Sequence, residues 1–197
     1  AEHGTAILDL LFAPGMLDDL EVFHADVVSA TGPAGAAAGV DTMLRGLDWL
    51  VRQDVRLINV SLSGPYNKIL DIGFQRAGDR GVILVAAAGN DGPGQTVRYP
   101  AALDSTLAVT AVDAAKQVYT DAVRGEALDF SAPGVDVFLG VNGQGQYFSG
   151  TSIAAPFVTL SLAGDPRTPS LQDIEAVRKA VRARARDLGA AGHDRVY

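Results

Sequence analysis

Cysteine is absent from all 197 residues. That excludes disulfide frameworks, thiolate metal sites and cysteine nucleophiles, and leaves the redox compartment open. Long apolar runs are missing as well. The longest, such as Gly81 to Gly89, is too short to cross a bilayer, and the N-terminus has no charged segment leading into an apolar core and cleavage site. A basic surplus is also lacking. With 16 Lys and Arg against 23 Asp and Glu, the formal net charge is −7, which argues against a general nucleic-acid binder and favours solubility. Neither GxGxxG nor GxxxxGK(S/T) follows a strand-like run, so a nucleotide-binding reading of the glycines is weak. Internal repeats and low-complexity tracts are absent.

A hydrophobic content of 48% over this length suits one sizeable domain, residues 1–197, with a real core. Helical periods alternate with short β-rich runs, the pattern of a parallel sheet with crossover helices. Residues 4 to 12 read as a helix, and Leu20 to Ser29 contains a strand. Ala36 to Gln53 reads as an amphipathic helix with Leu44, Leu47, Leu50 and Val51 on its apolar side. Val55 to Leu62 and Val82 to Ala87 read as buried strands around a helix over 67 to 79 that Gly81 ends. Further strands are expected at Thr106 to Val112 and Val135 to Val141. A turn over Gly143 to Ser149 leads into a helix over 151 to 163. Gly164 to Pro169 reads as a connector, and a last helix runs from Ser170 to Asp187. The fold class is α/β, a three-layer sandwich with a mostly parallel central sheet and helices on both faces.

Gly150-Thr151-Ser152-Ile153-Ala154-Ala155-Pro156 carries the strongest chemical signal. A glycine approach, a Thr N-cap and a serine in the first helical turn place a hydroxyl beside unpaired amides that can meet a developing negative charge. Pro156 removes the amide that would bond the carbonyl of Ser152. Two buried strands end in Asn59-Val60-Ser61-Leu62-Ser63-Gly64-Pro65 and Ala86-Ala87-Ala88-Gly89-Asn90-Asp91-Gly92-Pro93, and ligands bind outside the carboxyl ends of parallel strands. His3-Gly4-Thr5 opens the chain. The order HGT, SLSGP, AAAGNDGP, GTSIAAP resembles the subtilisin-like serine proteases from His3 to about Val158. Tyr99-Pro100-Ala101-Ala102 and Phe130-Ser131-Ala132-Pro133-Gly134 add to the likeness.

The resemblance implies a serine endopeptidase. Ser152 is the expected nucleophile, His3 the base and later the acid, and Asn90 an oxyanion donor beside the Ser152 amide. Ser61, Leu62, Ser63, Gly64, Ala88, Gly89 and Thr151 would line the substrate cleft, with Ser63 standing where the family more often has Gly. The bland readings are a Gly-Pro turn for the first segment and a Gly-Asn turn for the second. The expected partner is a peptide or protein substrate, with no nucleic acid, no membrane span, and a pro-region or upstream segment assisting. No cofactor or catalytic metal is implied. Structural calcium is common in the family, but no compact oxygen-ligand loop stands out, and Asp18 and Asp19 read as an acidic turn. Secretion or a periplasmic place is expected from the resemblance alone.

The chain departs from the family upstream, since only Ala1 and Glu2 precede His3 and the triad aspartate has no matching position. Glu2 and Asp9 are poor substitutes by their spacing. The expectation is a domain cut at both ends, with the alternative of a weak or inactive relative that binds peptides as a scaffold. His24 and His193 sit in no motif and read as surface or packing residues. Arg178, Lys179, Arg182, Arg184 and Arg186 read as a solvated helix face.

Overall fold

The computed structural model describes residues 2–13, 20–32, 35–141, 143–171 and 173–186. In chain order its elements are α1 (Glu2–Leu11), β1 (Val28–Gly32), β2 (Gly35–Ala38), α2 (Val40–Arg52), β3 (Leu57–Val60), α3 (Lys68–Gly78), β4 (Ile83–Ala87), β5 (Thr106–Val112), β6 (Phe130–Pro133), β7 (Val137–Val141), β8 (Gln144–Phe148), α4 (Thr151–Ala163) and α5 (Ile174–Arg182), with a 3-10 turn at Thr168–Ser170.

Unbroken apolar runs such as Ile83 to Ala87 must be covered on both faces, and they build a parallel sheet in the order β3-β4-β5-β6. Register runs through Leu57 opposite Ile83, Val85 opposite Leu107, and Val109 opposite Phe130. Alternation along β4 then decides the layers. Ile83, Val85 and Ala87 meet Ala154, Ala155, Val158 and Leu162 of α4 and Val177 of α5. Leu84 points the other way, to Leu47 and Leu50 of α2 and Leu70 and Phe74 of α3. The result is the expected three-layer α/β sandwich. Each fully buried Leu or Phe at these positions contributes roughly 1.5–3 kcal/mol.

Helix α4 is the centre of the molecule. It is apolar on all sides, and Thr151, Ile153, Ala154, Ala155, Pro156, Val158, Thr159, Leu160 and Leu162 are buried. A helix of that composition cannot lie on a surface. Its face away from the sheet receives α1 and the β7–β8 hairpin through Ala6, Leu10 and Leu139 packed on Ile153 and Leu160. Asp9 ties the two together by accepting the Gly140 amide at 2.8 Å.

Several boundaries differ from the sequence reading. Residues 20 to 27 form no strand; only β1 beyond them pairs, with β2, so Ala36 to Ala38 lie in a hairpin and α2 begins at Val40. The alternation of partly buried Phe23, Ala25 and Val27 with exposed His24 and Asp26 is strand-like, but no described neighbour supplies ladder bonds. Gln144 to Phe148 is a strand rather than a turn, because Gly143 with φ 77° closes a tight β7–β8 hairpin. β6 is a strand that its Ser and Pro content concealed. Helix α5 starts after Asp173, whose carboxylate caps the Ala176 amide at 2.7 Å. Its basic residues are not all solvated. Arg178 lies 2.9 Å from the buried Asp129 carboxylate and donates to the Thr106 carbonyl, while Arg184 reaches Asp165 at 3.0 Å. Asp18, Asp19, Asp187 and His193 lie outside the described residues.

Candidate active site

The carboxyl ends of β3 and β4 and the N-terminus of α4 converge, joined by the Ser61–Ser152, Gly89–Thr151 and Asn90–Thr151 hydrogen bonds. Gly150 precedes α4 with φ 147° and ψ 161°, a backbone that only glycine adopts without strain, and its amide donates to the Gly134 carbonyl at 2.7 Å. Gly134 is equally constrained. A Cβ there would lie 2.7 Å from that of Ala111 and 2.9 Å from that of Ala154, so β6, β5 and α4 close on each other only because it has none. Together these glycines set the angle at which the helix start faces the sheet.

Ser152 is the second residue of α4, partly exposed at the helix mouth. Its amide is one of the first-turn donors without a partner inside the helix. Beside it, Asn90 accepts the Thr151 amide through Oδ1 at 3.0 Å. A backbone N–H can only donate, so this bond fixes the orientation of the Asn90 amide and turns Nδ2 outward as a free donor. The Thr151 hydroxyl, fully buried, accepts the Gly89 amide at 3.1 Å and binds the β4 end to the helix start. Asn90 and Ser152 are thereby locked to the same turn.

The carbonyl of Ser152 has an unusual partner. Residue 156 would normally donate to it, but Pro156 has no N–H, and the Ser61 hydroxyl takes that place at 2.8 Å. The Asn59 amide donates to the same hydroxyl at 2.9 Å, which directs the hydroxyl proton at Ser152. Asn59 is anchored in turn by Thr159 of α4 at 3.2 Å. Nothing in the sequence paired Asn59 with Thr159 or Ser61 with Ser152; the clue available was Pro156, which announced an orphaned carbonyl.

His3 sits in the first turn of α1 and hydrogen-bonds the Ser61 backbone, so it shares a residue with the Ser152 network. The residue is exposed by surface area, yet neighbouring atoms desolvate its ring in part. That desolvation is the main reason its pKa falls below the ordinary imidazole value, and the Ser61 bond opposes the shift. No described carboxylate contributes. Asp9 is committed to Gly140, and the Glu2 side chain lies outside what is described.

The remaining predicted residues lie at the same strand ends, with Ala88, Gly89 and Thr151 buried. Gly64 and Tyr99 exchange backbone bonds at 2.8 and 3.0 Å, and Arg98 donates to the Ala88 carbonyl at 2.9 Å. The 98–99 segment, ahead of the cis peptide between Tyr99 and Pro100, therefore bridges the Ser61–Gly64 wall and the Ala88–Asn90 wall. Leu62 is partly buried and Ser63 exposed. Groups of acidic and His side chains able to hold a metal ion are absent among the described residues, and no described helix is long and apolar enough to cross a membrane.

Comparison with known proteins agrees with this fold. The family model for the subtilases (peptidase S8) matches residues 19–197, an interval that holds Ser61–Gly64, Asn90 and Ser152 but not His3. Minor extracellular protease Epr of Bacillus subtilis is 31% identical over 213 residues, covering 99% of this chain and 31% of its own length. Subtilisin of Bacillus pumilus is 32% identical over 171 residues, covering 80% of this chain and 60% of its own. The chain thus spans from about a third to 60% of these curated relatives. Among solved structures, the prenylagaramide maturation protease PagA superposes with a TM-score of 0.69 at 27% identity, over 81% of this chain and 62% of that one. A lanthipeptide protease gives 0.79 at 21% identity over the whole of this chain and 72% of its own, a likeness of fold alone. With motif order, sheet topology and family match in agreement, the chain belongs to the subtilase family of serine proteases.

Proposed function

We propose that this domain hydrolyses peptide bonds with Ser152 as nucleophile. The Ser152 hydroxyl attacks the scissile carbonyl as its proton passes to the His3 imidazole. The carbonyl oxygen, now negative, is held by Asn90 Nδ2 and the Ser152 amide. His3 returns the proton to the leaving amine, and water then frees the acyl group by the same steps in reverse. The peptide lies extended between Ser61–Gly64 and Ala88–Gly89, pairing its backbone with the first wall. The observation that carries this reading is the bond from the Thr151 amide to Asn90 Oδ1, which turns the Asn90 donor and the Ser152 amide to one turn of the helix. Secretion or a periplasmic place belongs to the same proposal, supported by relatives such as the extracellular protease Epr.

A second reading is a peptide-binding domain without turnover, and it draws on the lack of any described carboxylate acting on His3. Intact mass before and after an alkyl fluorophosphonate separates the two. A single adduct, lost in Ser152→Ala, is expected for an activated serine. An unlabelled protein that still binds extended peptides would establish the second reading instead.

A further inference from the structure

Arg98 is a cation beside Gly89 and Asn90 that the proposed chemistry leaves unused. Its backbone bridges the two walls, since its amide bonds Ala88 and the next residue pairs with Gly64. Its side chain then runs beneath Gly89. A Cβ on Gly89 would fall 2.6 Å from Arg98 Cγ and 3.3 Å from its Cβ, and Gly89 has φ 115°. The glycine therefore opens a space that the arginine stem occupies, one residue from Asn90. On the proposed chemistry, a substrate carbonyl held by Asn90 and Ser152 would bring its own residue's side chain toward Gly89 and that stem.

The charge of Arg98 is only half used. Its Nε lies 3.1 Å from Asp91 Oδ2, yet the approach is off the N–H axis, and this buried nitrogen has no hydrogen bond. No described group bonds its two terminal nitrogens. The Arg98 side chain is 37% exposed and that of Asp91 49%, so the pair sits at the cleft rim rather than in the core. A guanidinium offers five donors on two edges, and one carboxylate occupies only one edge. A second carboxylate entering over Gly89 meets the other. A substrate ammonium there would be repelled by Arg98 and could gain only from Asp91.

We infer, on the reading that this cleft binds peptides across Ser152, that Arg98 selects substrates with an acidic residue immediately before the scissile bond.

The test compares peptidyl diphenyl phosphonates of the form Ala-Ala-Pro-X, with X the phosphonate analogue of Glu, Gln, Lys or Ala, by their rates of Ser152 modification. The same four side chains are carried in labelled peptides whose binding to Ser152→Ala is followed by fluorescence anisotropy. Glu is expected to exceed Lys by about tenfold or more, the scale of one charge-assisted hydrogen bond, and Gln by a smaller factor. Arg98→Gln should bring the Glu/Gln ratio to near one, Arg98→Lys should keep part of it, and Asp91→Asn should raise it. A Glu/Gln ratio of one in the parent protein, or one unchanged in Arg98→Gln, overturns the inference. Preference for Ala over Glu overturns it too, because the stem would then plug the pocket. An alkyl fluorophosphonate serves as the control. Labelling without Glu preference leaves the peptidase reading standing and removes this one, while Glu-selective binding without labelling does the opposite.

Discussion

Replacing Ser61 with alanine isolates the contact on which the nucleophile's backbone depends. The hydroxyl serves two groups, the Ser152 carbonyl at 2.8 Å and the Asn59 amide at 2.9 Å, and both lose their partner in Ser61→Ala. A buried polar group left unpaired costs about 1–3 kcal/mol. The site is only part-buried, so water recovers some of this, and a loss of about 1–2 kcal/mol is expected. Pro156→Ala supplies what the first change removes, because an amide at 156 stands in helical register with the Ser152 carbonyl. Alone, that change trades proline's poor helix propensity against lost packing of a buried ring. In the Ser61→Ala background it should also restore about 1 kcal/mol. The double variant is therefore more stable than the sum of the single changes predicts. Urea unfolding of the four proteins, followed by far-ultraviolet dichroism and by the fluorescence of the single tryptophan, Trp49, closes the cycle. Additivity within about 0.3–0.5 kcal/mol would show that Ser61 and Pro156 do not act through one carbonyl, and the reasoning would be wrong.

Three further outcomes are expected. The rate of Ser152 labelling should rise with pH as His3 loses its proton, with a midpoint below about 6.5, because desolvation favours the neutral ring; a midpoint above 7 would mean that a carboxylate reaches the imidazole. Asn90→Asp keeps an oxygen for the Thr151 amide but replaces the outward donor with an acceptor, so labelling should fall about 100- to 1,000-fold, a magnitude established on a subtilisin's own asparagine, with little change in melting temperature; equal labelling rates would remove Asn90 from the oxyanion site. Arg178→Met leaves the buried Asp129 carboxylate with the Ala108 amide and the more distant Arg182 guanidinium at 3.6 Å, and should cost about 1.5–3 kcal/mol in urea unfolding, against less than about 1 for the exposed Arg52→Met.

Much of the site was legible because its chemistry is local. Gly150 to Pro156 reads as a helix start in any context, and the buried runs at Val82 to Ala87 and Thr106 to Val112 have one physical solution. What stayed hidden depends on partners distant in sequence. Leu20 to Val27 has strand alternation, yet a strand exists only beside another, and no composition reveals whether that neighbour is there. β8 was mistaken for a turn because Gln144 to Gln146 is polar and glycine-containing; its pairing with β7 decides the matter. Arg178 looked solvated on its own helix until Asp129, 49 residues away, was brought under it. Arg98 gave no signal either, since its position beneath Gly89 is created by a backbone bridge to Gly64 and Ala88.

The placement of α1 divides the site into parts of unequal persistence. Helix α4 is buried at most positions from Thr151 to Leu162, with Ser161 and Ala163 exposed, so the amides of its enclosed stretch exchange with solvent only when the domain unfolds as a unit. Helix α1 is a ten-residue segment seated on α4 and the β7–β8 hairpin, outside the parallel sheet. It can detach by releasing Ala6, Leu10, the Asp9 bond and the His3 bond to the Ser61 backbone while the sheet stays intact. Warming short of the melting transition therefore withdraws the imidazole first and leaves Ser152 and Asn90 in register. Deuterium uptake should appear early in residues 4–11 and last in residues 155–163, and the loss of reactivity on warming should track the former.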